Sequence, residues 1–239
     1  MPGLDPVAGY SGADRPRDTI GAVECYSYYR STASHRVRIA LNLKQVPHTL
    51  HTVDLLAGGG AQHEVEFRAI NPQGCVPVLV DGELALSQSL AILEYLDEKH
   101  PAPPLLPPTP EGRARARQFA QIISSDVHPL NNLRVMQYLQ TEFGMPEAGR
   151  RRWYHHWILE GFDALELWLT AESAPGPYCL GEAVSLADIC LVPQLHSARR
   201  MRVPLEDFPA LADIEAACLE LDAFRRAAPE AQSDAPESA

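Results

Sequence analysis

Residues 29–41 of this chain read Tyr29-Arg30-Ser31-Thr32-Ala33-Ser34-His35-Arg36-Val37-Arg38-Ile39-Ala40-Leu41. The preceding residues 23–28 are typical of a strand, and the hydroxyl residues within the segment are typical of a helix start. Such a start leaves backbone N–H groups without intrahelical partners and places the positive end of the helix dipole beside Ser31 and Thr32. This arrangement stabilises an anion. If the anion is a thiolate, the thiol pKa falls from about 8.5 toward neutrality, and the sulfur becomes a nucleophile without a metal.

The cysteines of the chain do not supply that thiol. None of the five lies within the hydroxyl run, and they are scattered singly at Cys25, Cys75, Cys179, Cys190 and Cys218. An odd count without a C-x-x-C pair or a zinc spacing is typical of reduced thiols in a cytoplasmic protein. We interpret all five as small, buried, apolar side chains. The histidines show no ligand spacing either, so we expect no metal site.

The formal net charge of −11 disfavours nucleic acid as a partner. An acidic ligand would need local arginines to outweigh the overall negative field. No segment approaches the length of a transmembrane span, and residues 1–21 lack the basic and apolar blocks of a signal peptide. We therefore expect a cytoplasmic enzyme or binding protein that uses neither a membrane nor nucleic acid.

The N-terminal half of the chain predicts a small α+β domain. Residues 1–21 have little hydrophobic pattern and predict a disordered leader. Residues 22–100 predict the order β-α-β-α-β-β-α, with strands at 23–28, 49–53, 77–80 and 83–86 and helices at 34–44, 64–69 and up to residue 99. Asp81-Gly82 between the last two strands is a strong hairpin signal.

The second half predicts helices throughout. Residues 101–110 contain prolines at a density that no regular element tolerates, so they predict a stiff linker. An all-helical domain then covers 111–228, with helices at 112–125, 130–143 and 146–171. Ser185 and Asp188 have capping-box spacing at the start of a buried helix that ends at Arg199-Arg200. Residues 229–239 predict a disordered tail.

Two dipeptides in the first domain suit a peptide-like ligand. Val76-Pro77 precedes a short strand, where a cis bond is plausible and the backbone of Val76 could pair with an extended peptide. Gln88-Ser89 starts a helix and presents a hydroxyl and free N–H groups to a carboxylate. An ordinary turn proline and an ordinary helix cap are the simpler interpretations of each dipeptide alone.

The order of the three features, followed by an all-helical domain, resembles the glutathione transferases. Residues 31–41 are similar to the zeta-class signature Ser-Ser-Cys-X-X-Arg-Val-Arg-Ile-Ala-Leu, except that Thr32 stands in place of the second serine and Ala33 stands where that class has cysteine. The resemblance extends from Val23 to about Ala228 and includes the stretches 126–134 and 221–226. Within the class it is strongest for bacterial maleylpyruvate isomerases, followed by maleylacetoacetate isomerases.

The resemblance implies a thioredoxin-like N-terminal domain, an all-α C-terminal domain, reduced glutathione as cofactor and a homodimer. It also implies isomerisation of maleylpyruvate or maleylacetoacetate to the fumaryl isomer in aromatic catabolism, by reversible addition of a thiolate to the cis double bond. Ser31, assisted by Thr32, would hold that thiolate. His128, Asn131 and Asn132 would reach glutathione with Val76, Pro77, Gln88 and Ser89, although a cap at a kinked helix explains the first three equally well.

Such a substrate is a keto acid with two carboxylates, and arginines are the residues that would bind these carboxylates. Arg30 lies next to the thiolate turn, and Arg134 and Arg199 lie on helices that the resemblance places around the same cleft. A guanidinium pairs bidentately with a carboxylate. We therefore expect Arg30, Arg134 and Arg199 to bind substrate and Arg30 also to assist catalysis, and we interpret Arg200 as a surface charge.

Two alternatives remain open. A glutathione transferase that dehalogenates small α-halo acids would use the same thiolate and arginines. A non-catalytic interaction protein would use the fold as a scaffold, but such a protein has no need for Ser31, Arg30, Pro77, Gln88 and Ser89 together.

Overall fold

The computed structural model describes residues 22–172 and 176–236, so the predicted leader 1–21 lies outside it. The first part of the chain contains a four-stranded sheet with helices on its faces. Its elements are β1 Val23–Ser27, α1 Thr32–Leu43, β2 His48–Thr52, α2 Val65–Ile70, β3 Val78–Asp81, β4 Leu84–Ser87 and α3 Ser89–Lys99. The strand order is β2-β1-β3-β4; β1 and β2 are parallel, and the other two pairs are antiparallel. The predicted β-α-β-α-β-β-α order is confirmed, including the hairpin at Asp81-Gly82.

The remainder of the described chain is helical, as predicted. Its helices are α4 Pro110–Gln121, α5 His128–Asn131, α6 Leu133–Thr141, α7 Glu147–Glu172, α8 Leu186–Arg200, α9 Pro209–Leu219 and α10 Asp222–Ala227. A π-helical segment, Ile122–Val127, joins α4 to α5. The prediction of one helix over 112–125 and another over 130–143 is therefore wrong at this junction. A π-turn is a local departure from the 3.6-residue period, and such turns are frequent at functional sites.

The helix α8 begins where the sequence predicted. Ser185 is its N-cap, and the side chain of Asp188 accepts the backbone N–H of Ser185 at 2.8 Å, which completes the capping box. The same carboxylate accepts the N–H of Cys179 at 2.8 Å and is fully buried. The cap thus fixes both the helix start and the preceding loop.

The helix α1 is the structural centre of the molecule. All of its residues from Ser34 to Leu41 are buried, because it packs against α3 on one side and against α8 and α10 on the other. A continuous apolar core includes Val37, Ile39 and Leu41 of α1 together with Ile189 and Leu191 of α8. The loop before α1 is therefore held by both halves of the protein.

The predicted linker 101–110 is attached to both halves. Leu105 and Leu106 are buried, and the Leu105 N–H donates to Asp97 of α3 at 2.8 Å. The Leu105 carbonyl accepts the N–H of Leu186 of α8 at 2.9 Å. The domain boundary at this linker stays a prediction. The structure shows that the linker residues pack against both halves of the protein and do not form a flexible spacer.

The predicted disorder of the tail is wrong for residues 229–236. Pro229–Ala231 forms a 3₁₀ turn with Pro229 buried, and the Asp234 carboxylate accepts the N–H of Tyr29 at 3.0 Å. The proline- and alanine-rich composition suggested disorder, but contacts with residues about two hundred positions away order the segment. Residues 237–239 lie outside the described residues. Within the described ranges, no helix combines the length and apolar character that crossing a bilayer requires.

Candidate active site

A cavity of about 790 Å³ lies between the sheet domain and the helices. Its wall is formed by the residues that follow β1, the starts of α1 and α3, the loop before β3, the π-helical segment and parts of α5 to α8. Of the predicted site residues, those on its wall are Arg30, Ser31, Thr32, Val76, Pro77, Gln88, Ser89, His128, Asn131, Asn132 and Arg134. Arg199 does not line it.

Ser31 is the N-cap of α1, and Thr32 is the first residue of the helix. The Oγ of Ser31 accepts the N–H of Ser34 at 3.1 Å, so its own hydroxyl hydrogen is available to a ligand. The N–H groups of the first turn have no intrahelical partners, and the helix dipole adds partial positive charge. The helix starts two residues before the predicted position, which brings these groups onto the cavity wall.

The electrostatic character of the cavity is opposite to that of the whole protein. Among the described residues on its wall, the single carboxylate is that of Glu147. Seven arginines face it: Arg30, Arg36, Arg68, Arg134, Arg150, Arg151 and Arg200. A concave site with one sign of charge raises the local concentration of oppositely charged ligands. The cavity can therefore hold a polyanionic ligand in a chain of net charge −11.

Arg200, and not Arg199, is the cavity arginine at the end of α8. Arg199 forms an ion pair with the buried Glu215 of α9, whereas Arg200 Nη2 donates to Ser197 Oγ at 3.3 Å on the cavity wall. Burial first, and then the charge of Arg30, lowers the pKa of Arg200. Successive helix residues differ by about 100° in direction, and at this end of α8 it is Arg200, not Arg199, that points into the cavity. The predictions for Arg199 and Arg200 are thus corrected.

Val76 and Pro77 border the cavity beside the start of β3. Their peptide bond is cis, as the sequence suggested. The register of β3 begins at Val78, so Val76 lies outside the sheet ladder, and its backbone remains at the cavity edge.

Gln88 and Ser89 occupy the N-terminus of α3. Gln88 is the N-cap with φ +71°, a left-handed conformation that costs free energy for a residue other than glycine. Its Nε2 donates to Gln73 Oε1 at 2.8 Å. Ser89 is buried, and its Oγ accepts a hydrogen bond from Arg36 Nη1 at 3.2 Å.

The buried Arg36 was not selected from the sequence. It is 1 % exposed, and its Nε and Nη2 have no hydrogen-bond partner. Burial, followed by the charges of Arg36 and Arg134, lowers the pKa of His128 to about 3, so that imidazole is neutral. A guanidinium with unsatisfied buried donors on a cavity wall is a binding site for an anion. A sequence gives no signal for it, because an arginine in a helix is ordinarily exposed.

Other buried polar atoms on the wall also have no protein partner. These are Gln62 Oε1 in the loop before α2, Ser124 Oγ in the π-helical segment, Asn131 Oδ1 in α5 and Gln194 Oε1 in α8. Asn131 Nδ2 donates to the Tyr154 carbonyl at 3.3 Å. Leaving a buried group unsatisfied costs about 1–3 kcal/mol, so such a cluster indicates that a polar ligand completes the wall.

Asn132 has the capping role that was one of the two interpretations left open by the sequence, and its contact with glutathione stays a prediction. Its Oδ1 accepts the N–H of Val135 at 3.1 Å as the N-cap of α6, and it also lines the cavity.

The cysteines mostly behave as buried apolar groups. Burial raises the pKa of the Cys25 thiol to about 12, and burial also raises the pKa values of Cys179, Cys190 and Cys218. Cys75 differs from the prediction, because it is half-buried and lines the cavity. No cysteine lies at the start of α1, where the anion-stabilising groups are.

The comparisons with known proteins agree with this architecture. Residues 26–104 match the family model for the glutathione S-transferase N-terminal domain, and residues 148–217 match that for the C-terminal domain. The chain is 48 % identical over 210 residues to a probable maleylacetoacetate isomerase of Vibrio cholerae, which covers 88 % of this chain and 97 % of that protein. A holo structure of maleylpyruvate isomerase, a bacterial zeta-class glutathione transferase, superposes with a TM-score of 0.86 at 46 % identity and covers 89 % of this chain and 100 % of the other.

The chain belongs to the zeta class of glutathione transferases. A second zeta-class neighbour, the maleylacetoacetate isomerase of Methylobacterium extorquens AM1, was solved with bound malonate and glutathione. Its TM-score is 0.86 at 42 % identity, covering 89 % of this chain and 99 % of that chain. In this class the substitution of cysteine by Ala33, which lines the cavity next to Thr32, is the main departure of the present chain from the signature.

Proposed function

We propose that this protein is a glutathione-dependent cis–trans isomerase that converts maleylpyruvate or maleylacetoacetate to the fumaryl isomer. The observation that carries the proposal is the cavity itself, in which seven arginines and one carboxylate surround a serine-capped helix start. Such a cavity suits two anions at once: a substrate that has two carboxylates, and the thiolate of a separate thiol cofactor.

The residues of the wall fit glutathione, which has two carboxylates, a peptide backbone and a thiol. Ser89 and the N-terminus of α3 suit a carboxylate, with Arg36 beside them. The edge of Val76 suits an extended peptide. The unsatisfied atoms of Ser124, Asn131 and Gln194 suit the remaining polar groups.

Bound glutathione supplies the thiolate that adds to the cis double bond, permits rotation about the resulting single bond and leaves unchanged. Ser31 holds the sulfur by a hydrogen bond from its hydroxyl, and Thr32 and the first N–H groups of α1 favour the ionised form. Ser31 is free to donate because its acceptor side already receives the Ser34 N–H. The chain therefore stabilises a thiolate without a base of its own.

The arginines orient the substrate. Arg30 and Arg200 lie close enough for the charge of Arg30 to lower the pKa of Arg200, and Arg134 at the start of α6 also lines the cavity. Two cations at one edge of the cavity hold one carboxylate bidentately and leave the double bond facing the sulfur. They also stabilise the negative charge that develops on the substrate when the sulfur adds.

The proposal also includes a cytoplasmic location and a homodimer. Support for the location is that all five cysteines are free thiols, which is typical of a reducing compartment. The homodimer rests on membership of the class, and light scattering of the purified protein at micromolar concentration measures it.

The decisive experiment follows the ultraviolet absorbance of maleylpyruvate, and then of maleylacetoacetate, with and without catalytic glutathione. We expect rapid conversion to the trans isomer that requires glutathione but does not consume it. A chloride-release assay with a small α-halo acid runs in parallel. Chloride release without isomerisation would replace the proposal with a dehalogenating transferase, and inactivity in both assays would favour a scaffold.

A further inference from the structure

The C-terminal segment 229–236 lies against the turn that precedes the capped helix. The segment is ordered by its own hydrogen bonds, since Gln232 Nε2 donates to the carbonyls of Arg226 and Ala228, both at 2.9 Å. Glu230 pairs with His196 of α8 at 2.8 Å. The chain end is thus anchored both to α10 and to α8.

Both backbone polar groups of Tyr29 are held by this region. The Asp234 carboxylate accepts the Tyr29 N–H at 3.0 Å. The Tyr29 carbonyl accepts from Nη2 of the buried Arg38 at 3.1 Å, and Arg38 Nε donates in turn to the carbonyl of Ala227 at 3.0 Å. Tyr29 is therefore clamped between the C-terminal segment and α1.

The residue that follows is Arg30, whose side chain has no such restraint. Arg30 is exposed and makes no hydrogen bond or ion pair within the described part of the chain. It lies in the wall shared by the main cavity and a second cavity of about 330 Å³, which Pro229 and Glu230 also line. Because no contact among the described residues fixes its side chain, the place from which Arg30 reaches into the cavity is set by its backbone at Cα and Cβ, and hence by Tyr29.

We infer that residues 229–236 position Arg30 for the substrate carboxylate, and that Asp234 is the positioning residue, acting through the Tyr29 N–H. This inference rests on the proposed function, because it concerns the carboxylate subsite of the same cavity. It assigns a role in substrate binding to a segment whose composition suggests a dispensable tail.

The clamp acts on Arg30 and leaves the glutathione groups in place. Ser31 is held without Asp234, because its N–H donates to the Tyr28 carbonyl at 2.9 Å and its Oγ caps α1. Ser89 and Val76 belong to other elements. Loss of the Asp234 contact therefore weakens binding of the dicarboxylate and spares binding of glutathione.

The test compares Asp234→Ala, Asp234→Asn and a chain truncated after Ala228 with the full chain. The probe is malonate, a dicarboxylate that lacks the double bond, titrated calorimetrically into the glutathione-loaded protein. The titration of glutathione alone, the KM and kcat for maleylpyruvate and the Tm are measured alongside. The control is Asp222→Asn, because Asp222 is exposed and pairs with Arg225 and Arg226 on the surface of α10.

We expect Asp234→Ala to raise the Kd of malonate and the KM of maleylpyruvate about fivefold, the value of one net hydrogen bond. Asp234→Asn keeps an acceptor oxygen and stays within about twofold of the full chain. The truncation exceeds the effect of Asp234→Ala, because it removes the whole anchored segment, including its contacts through Gln232 and Glu230. Glutathione affinity and the control remain unchanged.

Three results overturn the inference: unchanged malonate affinity in both Asp234→Ala and the truncation, equal losses of malonate and glutathione affinity with a lowered Tm, or no binding of malonate to the full chain. The last two indicate, respectively, a general structural role and the absence of a carboxylate subsite. A full chain that binds malonate but does not isomerise either substrate contradicts the proposed function instead, and the malonate titrations still decide the role of Asp234.

Discussion

Arg36 Nη1 donates a hydrogen bond to Ser89 Oγ at 3.2 Å and thereby joins α1 to the N-terminus of α3 at the cavity wall. This bond occupies a lone pair of the serine oxygen and leaves the serine hydrogen free to donate to a ligand carboxylate. The guanidinium adds a full positive charge beside the partial charge of the helix end. The two residues thus bring hydrogen-bond donors from separate elements to one point of the cavity wall, where a carboxylate of glutathione is proposed to bind.

Arg36 and Arg38 lie two residues apart on α1 but differ in how many hydrogen bonds their guanidinium groups make. Both are buried, at 1 % and 2 % exposure. Arg36 makes a single hydrogen bond and keeps Nε and Nη2 unpaired, whereas Arg38 makes four hydrogen bonds, to Ser27, Tyr28, Tyr29 and Ala227. An unpaired buried charge costs stability that a ligand anion can recover.

The first prediction follows from that contrast. Arg36→Met is expected to raise the KM of glutathione at least tenfold, because a charge-assisted contact contributes about 1.5–3 kcal/mol, while its Tm stays equal or rises. The matched variant Arg38→Met is expected to lose about 3–5 kcal/mol of stability, as when one partner of a buried charged network is removed. Steady-state kinetics and urea unfolding measure both. Unchanged glutathione KM in Arg36→Met, or a large loss of its stability, contradicts the assignment.

The second prediction concerns the adjacent arginines at the end of α8. Arg200→Ala is expected to raise the KM of maleylpyruvate about tenfold to a hundredfold by loss of a charge-assisted contact. Arg199→Ala is expected to leave that KM within twofold but to lower the Tm, because it strands the buried carboxylate of Glu215. The assignment is wrong if the two variants exchange these effects.

The third prediction tests the cap of α8. The Asp188 carboxylate accepts three hydrogen bonds, from the N–H of Cys179, the N–H of Ser185 and the hydroxyl of Ser185, at 2.8, 2.8 and 2.9 Å. Asp188→Ala strands these donors and is expected to lower the free energy of unfolding by about 3 kcal/mol. The control is the exposed Asp213 of α9, because Asp213→Ala should change the free energy of unfolding by less than about 0.5 kcal/mol. Equal effects in urea titrations would show that the cap contributes nothing.

Sequence patterns predicted the parts of the fold that local chemistry determines. The hairpin at Asp81-Gly82 and the capping box of Ser185 and Asp188 depend on residues within a few positions of each other, whereas the start of α1 was predicted two residues too late. The order of elements along the first half of the chain also followed from the alternation of hydrophobic periods and turn signals. These features need no knowledge of what packs against them.

Most of the failures involve contacts between distant parts of the chain, whereas the π-helical junction at Ile122–Val127 is a local one. Order in segment 229–236 depends on Tyr29, and the choice between Arg199 and Arg200 depends on which face of α8 meets α9. The buried Arg36 could not be recognised, since its burial results from packing of α3 and α8 around α1. Side-chain direction and burial are tertiary properties, and a single sequence does not contain them in readable form.

The fourth prediction is a pH dependence. The pKa of His128 is lowered to about 3 by burial and by Arg36 and Arg134, whereas the unfolded chain has an ordinary value near 6.5. The stability that this histidine contributes is complete above pH 6.5 and is lost as the pH falls toward 3, because the unfolded state binds the proton first. Each pH unit in that window costs up to about 1.4 kcal/mol. We expect His128→Asn to flatten the pH dependence of the unfolding free energy between pH 6.5 and 4, and an identical slope in the variant would contradict the lowered pKa.

The fifth prediction separates the two functions of Ser31, which caps α1 and is proposed to hold the thiolate. Ser31→Ala loses both and is expected to lower kcat/KM about a hundredfold or more, to cost about 1 kcal/mol of stability and to raise the pKa of bound glutathione. Ser31→Asp keeps an acceptor for the Ser34 N–H, and therefore the cap, but has no hydrogen to donate and places a negative charge beside the sulfur. We expect the aspartate variant to be as stable as the parent and as inactive as the alanine variant, with thiolate ultraviolet absorbance of the glutathione complex as the direct readout. If turnover instead followed stability across the two variants, Ser31 would act through the helix and not through the sulfur.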